Sequence, residues 1–523
     1  MQLSHIRPVA AAKFDDPNLV SCAGLVPTVA LAEQCDLGAL ADERLTVPTD
    51  KGANAGRKIT SLVAGMVAGA DSIDDMALLR HGAMGTIFDH PYAPSTLGSF
   101  LREFTFGHVR QLDAVGSRFL CGLADRTPIV AGIDGTVFVD IDDTIIEVHG
   151  HGKQGSGYGY SGVRGLNALI TTVSTERAAP VIVGQRLRKG SCGSARGAAR
   201  MVSDTLATIG GLRAAATDTA AGVGVGAAPK VLVRVDSAFY GYRAVRAAIR
   251  GGADVSVTVR QTETVKAAIA EIDDSAWTPI EYTDAVYDEN TGTWISRAEV
   301  AEIDFTAFTS RPKSQQISGR LIVRRVPDLN VEATDQGALF DTWRFHAFFT
   351  TTDLDIVTAD KTHRQHAIIE QVHADLKNSA LAHLPSNHFS ANAAWLVCAV
   401  IAFNLTRAAA TLTGAPRLVK ATTASIRRTL ISVPARIASS ARRLTLHLPT
   451  DWPWETAWNM LFDSVFHRHI DHRLTANTKP PPSRKTQWDN PTPRSGTQPR
   501  SHPSRCHTTK LTTETTVDRW IQV

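Results

Sequence analysis

An α/β fold is predicted, on three observations. Between residues 129 and 260, apolar β-branched runs alternate with segments of helical periodicity. Helical patterning dominates before that stretch and resumes after about residue 362, while short turn-bounded apolar pieces fill 261–345. Strands that alternate with helices build a layered core with a sheet at its centre.

Residues 1–125 form the helical N-terminal region. "ITSLVAGMVAGADSIDDMALLRHG" has apolar residues at helical spacing, with Asp71 and Ser72 placed to cap a second helix. "PSTLGSFLREFTFGHVRQLDAVGSRFL" continues the pattern, with Pro94 and Ser95 at its start. Such a region can carry DNA-end recognition, and packing alone accounts for the pattern equally well.

The first part of the core spans 126–260. "IVAGIDGTVFVDIDDTIIEVHG", "GLNALITTVST" and "APVIVGQRL" read as strands, followed by a helix near 195–220. "KVLVRVDSAFYG" gives a buried strand ending at Asp236, "YRAVRAAIRGG" a helix stopped by glycine, and "DVSVTVRQ" a further strand. Residues 261–345 read as an all-β insertion. Residues 346–470 return to the core and then to helices up to about 465. From 471 to 523 the chain is rich in Pro, Ser, Thr and Arg, a composition that predicts a disordered basic tail.

Composition narrows the function classes. The 523 residues are 43% hydrophobic and 20% charged, an ordinary globular balance. Six scattered cysteines without a CxxC pair argue against a disulfide framework or zinc knuckle. The N-terminus lacks the apolar core of a secretory signal, and "AAWLVCAVIAF" is too short to span a bilayer, so a cytoplasmic protein without membrane contact is expected. The net charge of +4 is small, but Arg417, Lys420, Arg427, Arg428, Arg436, Arg442 and Arg443 fall in a stretch without an acidic residue. The tail from Arg473 adds nine Lys or Arg against three Asp or Glu. Clustered cations of this kind suit DNA phosphates. Trp294 and Trp277 in the β-rich stretch are candidates for stacking on an unpaired base, with core packing the more ordinary role.

The candidate chemistry centres on carboxylates. "VFVDIDDTIIEVHG" sets Asp140, Asp142 and Asp143 close together on one strand, and Asp236 ends another. Ligand sites in open α/β sheets gather at the carboxyl ends of strands. In "THRQHAIIEQVHADLKNSALAHL", His363, His366, Glu370, His373 and Lys377 lie at helical spacing on one stripe. A solvated helix face is the plain alternative. The glycine-rich stretches 150–162 and 189–198 lack a phosphate-loop signature and read as flexible loops that let a backbone approach its ligand.

In this order of elements (strand Asp, strand Asp, β-rich insertion, helix Glu) the chain resembles the DDE transposases of bacterial insertion sequences. The subgroup with a β insertion carries Tyr-x2-Arg-x3-Glu-x6-Lys. Glu370 and Lys377 match it, while His363 and His366 stand at the Tyr and Arg positions, with Arg364 nearby. Asp142 and Thr144 match the family's Asp-x-Thr, and Asp236 its second Asp.

The resemblance implies an RNase H-like core interrupted by the all-β insertion. It also implies two Mg²⁺ ions, replaceable by Mn²⁺, held by Asp142, Asp236 and Glu370. Lys377 and His366 would contact phosphate, with Asp140 supporting the metal shell or replacing Asp142. Arg364, Arg427, Arg428, Arg442, Arg443 and Trp294 would serve DNA binding. The expected partners are duplex DNA with terminal inverted repeats, target DNA and a second copy of the chain on paired ends.

Two other readings stay open. Asp140-Ile-Asp-Asp-Thr also fits the DxDxT of haloacid-dehalogenase-type phosphatases, with Asp140 as nucleophile and Asp142 as general acid/base. That motif normally opens its domain, and Asp273-Asp274 lacks the expected strand context. The histidines in the signature also allow a DNA-binding relative without catalysis.

Overall fold

The computed structural model describes residues 11–467, apart from 49, 90, 151, 220–229, 281–285, 289–292, 296–297, 328–342 and 441–442. Its centre is a ten-stranded mixed sheet. The strands are β1 (Val137–Glu147), β2 (Gly157–Tyr158), β3 (Arg164–Ser174), β4 (Val181–Lys189) and β5 (Val231–Val235), then β6 (Asp254–Thr258), β7 (Thr278–Ile280), β8 (Ala298–Ala307), β9 (Ile317–Pro327) and β10 (Trp343–Thr350).

Antiparallel β1 and β3 form the long central pair, and β4, with the two-residue β2, lies on the far edge of β3. On its other edge β1 pairs in parallel with β5, and β5 with β6. The order β4-β3-β1-β5-β6 accounts for every strand expected before residue 260. β5 reads Val-Leu-Val-Arg-Val and is buried throughout, as befits a parallel strand covered on both faces.

The β-rich stretch differs from its expectation. It opens with a helix, Glu263–Ala270, whose N-cap Thr262 accepts from the Val265 amide. Its long strands then extend the main sheet, because β10 pairs antiparallel with β6, and β9, β8 and β7 follow outward. Pairing to a strand some ninety residues earlier leaves no local trace in sequence.

Helices cover the sheet. The 24-residue helix Phe389–Leu412 is long and apolar enough to cross a membrane, but its apolar window is entirely buried inside the fold. It packs on β4 and on the N-terminal helices Ala55–Ala68 and Phe106–Arg126. Asn404 of this helix exchanges two hydrogen bonds with the Ile182 backbone of β4, at 3.0 and 2.7 Å. The expected continuous helix from Pro94 is broken in two, Pro94–Arg102 and Phe106–Arg126, by a capping box of Thr105 and His108.

The acid-free stretch is another correction. After short helical turns it becomes a hairpin, Ala435–Ser440 with Arg443–His447, paired to Leu19–Val20. Ala435 and Ile437 are buried while Arg436 and Ala438 are exposed, a period of two that overrides the helical reading. The expected tail from 471 lies outside the described residues.

Candidate active site

Two carboxylates leave neighbouring strands at the same level. β1 and β5 run in parallel with Asp140 opposite Arg234 and Ile141 opposite Val235. Asp142 and Asp236 come next on each strand. Asp142 Oδ1 accepts from the Asp143 amide at 2.7 Å. Asp236 Oδ1 caps the turn Ser237–Phe239 through the Ala238 amide at 3.0 Å. Glu370 is exposed in the first turn of the helix Ile368–Lys377, which packs on β1.

These groups feel one another. Burial pushes the Asp142 carboxyl up to about 8, and the negative charges of Asp236, Asp143 and Glu370 add to the effect. Burial, then Asp143, also raises Asp236, while His366 acts against the rise. The Lys377 ammonium is lowered by burial and supported by Asp142. His373 Nδ1 lies 3.6 Å from Asp142 Oδ2. Burial, then Lys377, lowers that imidazole to about 4, so it is neutral at pH 7. Its buried Nε2 has no hydrogen-bond partner among the described residues.

Among the described residues no three His, Cys, Asp or Glu side chains converge closely enough to hold a metal ion. The donor chemistry fits one nonetheless. Asp142, Asp236 and Glu370 offer hard oxygen ligands, and burial first, then the neighbouring carboxylates, raise the Asp142 carboxyl.

Asp140 is placed differently from its expectation. Arg234 donates to both its oxygens, Nε to Oδ1 and Nη2 to Oδ2, each at 2.8 Å. Both oxygens of Asp140 are thus engaged in a pair that is almost fully buried. Arg234 also donates Nη1 to the Thr362 carbonyl at 2.8 Å and stacks over Phe138. One guanidinium therefore joins β1, β5 and the helix Ile356–Arg364 that leads to Glu370. Asp143 is held by Arg188 Nη2 at 2.6 Å, and Thr144 is half-buried beside it.

The signature histidines separate in role. His363 is buried, with Nδ1 2.8 Å from Ser256 Oγ and Nε2 3.0 Å from Thr258 Oγ1, and it stacks on Phe348. Burial holds it well below the usual histidine range, so it is a neutral strut between helix and sheet. His366 is half-buried, its Nδ1 2.7 Å from the His363 carbonyl. Arg364 donates to Asp360, which also binds Arg324 of β9.

The basic candidates also divide. Arg428 and Arg443 are exposed, but Arg427 is half-buried and donates to the Val67 carbonyl at 3.2 Å. Arg442 and the Trp294 side chain lie outside the described residues. Trp277 packs against Arg325 and Phe345.

Sequence reasoning missed Arg234 and Phe308. The signal for Arg234 was a lone cation inside an apolar strand, two residues before Asp236 as Asp140 is two before Asp142. Phe308 carries φ +63° at the end of β8 and stacks on Tyr240, with its edge to Tyr242, directly after the Asp236 turn. No local pattern announces that contact.

The family model described as "Transposase DDE domain group 1" matches residues 4–469. Among curated proteins, none matches the chain at a significant level.

Proposed function

Because the chain belongs to the DDE transposase family, we propose that it cuts and joins the ends of a mobile DNA element at a site built from Asp142, Asp236 and Glu370. The observation that carries this reading is geometric: parallel β1 and β5 bring Asp142 and Asp236 to the same level, and the helix that carries Glu370 packs on β1. Burial first, and the neighbouring carboxylates after it, raise the Asp142 carboxyl, and a divalent cation would offset that.

Mg²⁺, or Mn²⁺ in its place, would supply there an activated oxygen nucleophile and a counter-charge for the scissile phosphate, two ions serving both sides of the displacement. Asp142, midway along β1, and Asp236, directly after β5, are carried by paired strands and fix the position of the site. Glu370, exposed on a helix, closes it from the other side. Lys377 offers a point charge to a phosphate oxygen. His366 has Nδ1 committed to the His363 carbonyl, which leaves Nε2 for the substrate. His373 keeps a neutral imidazole against Asp142.

On the same reading the core is RNase H-like, supported by the strand order β4-β3-β1-β5-β6. The N-terminal helices and the exposed Arg428 and Arg443 would hold duplex DNA with terminal inverted repeats. A second copy of the chain would be needed to pair two ends. A phosphatase centred on Asp140 gains no support, since Arg234 occupies both oxygens of that residue.

The test is incubation with Mg²⁺ and a DNA fragment carrying the element's end. Strand cleavage at the end supports the reading. Hydrolysis of a phosphomonoester without DNA cleavage, lost in Asp140→Asn, would overturn it.

A further inference from the structure

A recess of about 370 Å³ lies where the chain passes from the hairpin after Ala435 into the helix Glu455–Phe466. Val433, Leu448, Trp452 and Trp458 give it apolar walls, and Asp451 and Glu455 give it charge. No residue assigned to the candidate active site lines it.

The turn that forms the recess is well held. The backbone reverses at Asp451 with φ +56°, a left-handed conformation that Asp and Asn adopt more readily than most residues. The Glu455 amide then donates to the Trp452 carbonyl and the Trp458 amide to the Trp454 carbonyl, each at 3.0 Å, which starts the helix. Trp452 donates its indole N–H to the Thr429 carbonyl at 3.4 Å and sits edge-on to Trp454. Trp458 stacks on Phe462. Walls fixed in this way order little on binding.

Two features of the recess are left unmatched by the fold. Trp458 is 4% exposed, yet its buried Nε1 has no hydrogen-bond partner among the described residues. An unmade buried donor is costly, and an acceptor oxygen would relieve it. Asp451 and Glu455 are exposed, and neither forms an ion pair among the described residues. No lysine or arginine lines the recess, although Arg436 and Arg443 are exposed on the hairpin before it.

These features select the occupant. Two unpaired carboxylates repel a phosphate, so the recess is set apart from the DNA-holding cations. Indole rings beside carboxylates suit a cation on an apolar stem. A guanidinium, planar and weakly hydrated, stacks on such rings better than an ammonium does. A free organic cation would leave the Trp458 N–H without an acceptor, whereas a peptide brings backbone carbonyls with its side chain.

We propose that this recess is a docking site for an arginine side chain in a basic segment of a partner protein. The guanidinium is taken by Trp452, Asp451 and Glu455, and a carbonyl of the segment accepts from Trp458. The proposal goes beyond the transposase reading and is independent of it.

The test titrates the full chain with a blocked Gly-Gly-Arg-Gly-Gly peptide, followed by tryptophan fluorescence and calorimetry. The citrulline counterpart, which keeps the side-chain shape and drops the charge, is the control. The arginine peptide should bind about two- to thirtyfold more tightly than the control. Asp451→Asn/Glu455→Gln should erase that difference while thermal stability and DNA binding are kept, since both carboxylates are exposed and Asn suits the left-handed turn. Trp458→Phe, which keeps a ring and removes the N–H, should weaken the arginine peptide about two- to tenfold. No binding of the arginine peptide, equal affinity for the two peptides, or an acid variant that keeps the preference overturns the proposal. Ethylguanidinium binding as tightly as the peptide would overturn the peptide as occupant.

Discussion

Arg234 and Asp140 face each other across parallel strands with two 2.8 Å hydrogen bonds, their side chains 2% and 1% exposed. Each lies two residues before a candidate catalytic aspartate, so the pair fixes the level at which Asp142 and Asp236 emerge. Breaking one partner leaves an uncompensated buried charge, which costs about 3–5 kcal/mol. Arg234→Met and Asp140→Leu should each lower the urea midpoint accordingly. The double variant should regain much of the stability but little DNA cleavage, since an apolar pair no longer reaches Thr362. Single variants with unchanged midpoints would contradict this account of the pair.

Phe308 holds the turn after Asp236 from the other side. Its φ of +63° is strained for a bulky residue, and its ring is the turn's contact with β8. Phe308→Ala should lower stability by about 1–2 kcal/mol and reduce kcat for strand cleavage while DNA affinity stays constant. Equal kcat in the variant would remove Phe308 from the positioning of Asp236.

Asp142 predicts a pH dependence. Its proton leaves at about 8 in the fold, against an ordinary 3.8. The unfolded chain is already ionised above that lower value, so folding takes up a proton between the two limits. The metal-free protein therefore loses stability as pH rises through that window. A bound cation must displace the same proton, so Mn²⁺ affinity should climb by up to roughly tenfold per pH unit and level off above the folded value. Calorimetric titration across the window checks this, and Asp142→Asn should bind more weakly with a flatter profile. A flat wild-type profile would contradict the assigned environment.

Exposure separates the basic residues. Arg428→Ala and Arg443→Ala should each reduce the slope of log affinity against log salt by about 1. Arg427→Ala should lower thermal stability, because its guanidinium is spent on the Val67 carbonyl. A change in salt slope from Arg427 with no loss of stability would reverse that division.

The legible parts of the fold were those written in local periodicity. β5 and β6, with the helix Tyr242–Arg250 between them, follow from apolar runs and a terminal glycine. The illegible parts depend on distant partners. β10 finds β6 across the whole β-rich stretch, and the hairpin after Ala435 is too short for its alternation to outweigh its helical surroundings. At the site, element order already put Asp142 and Asp236 on neighbouring strand segments and Glu370 on a helix. The fate of Asp140 could not be read, because a DxDxT strand looks the same whether its first carboxylate is open or clasped by an arginine ninety-four residues on. His363 hid likewise: its stripe suggested a surface, and its partners Ser256 and Thr258 lie on a strand no spacing connects to it.

The most direct measurement is Mg²⁺-dependent cleavage of a DNA fragment carrying the element's end by wild type and Glu370→Gln, with DNA binding followed in parallel. Glu370 is exposed, so the amide should leave the fold undisturbed. The account predicts cleavage by wild type, a loss of at least about a hundredfold in the variant, and equal DNA binding by both. Wild-type cleavage in Glu370→Gln would contradict the three-carboxylate site.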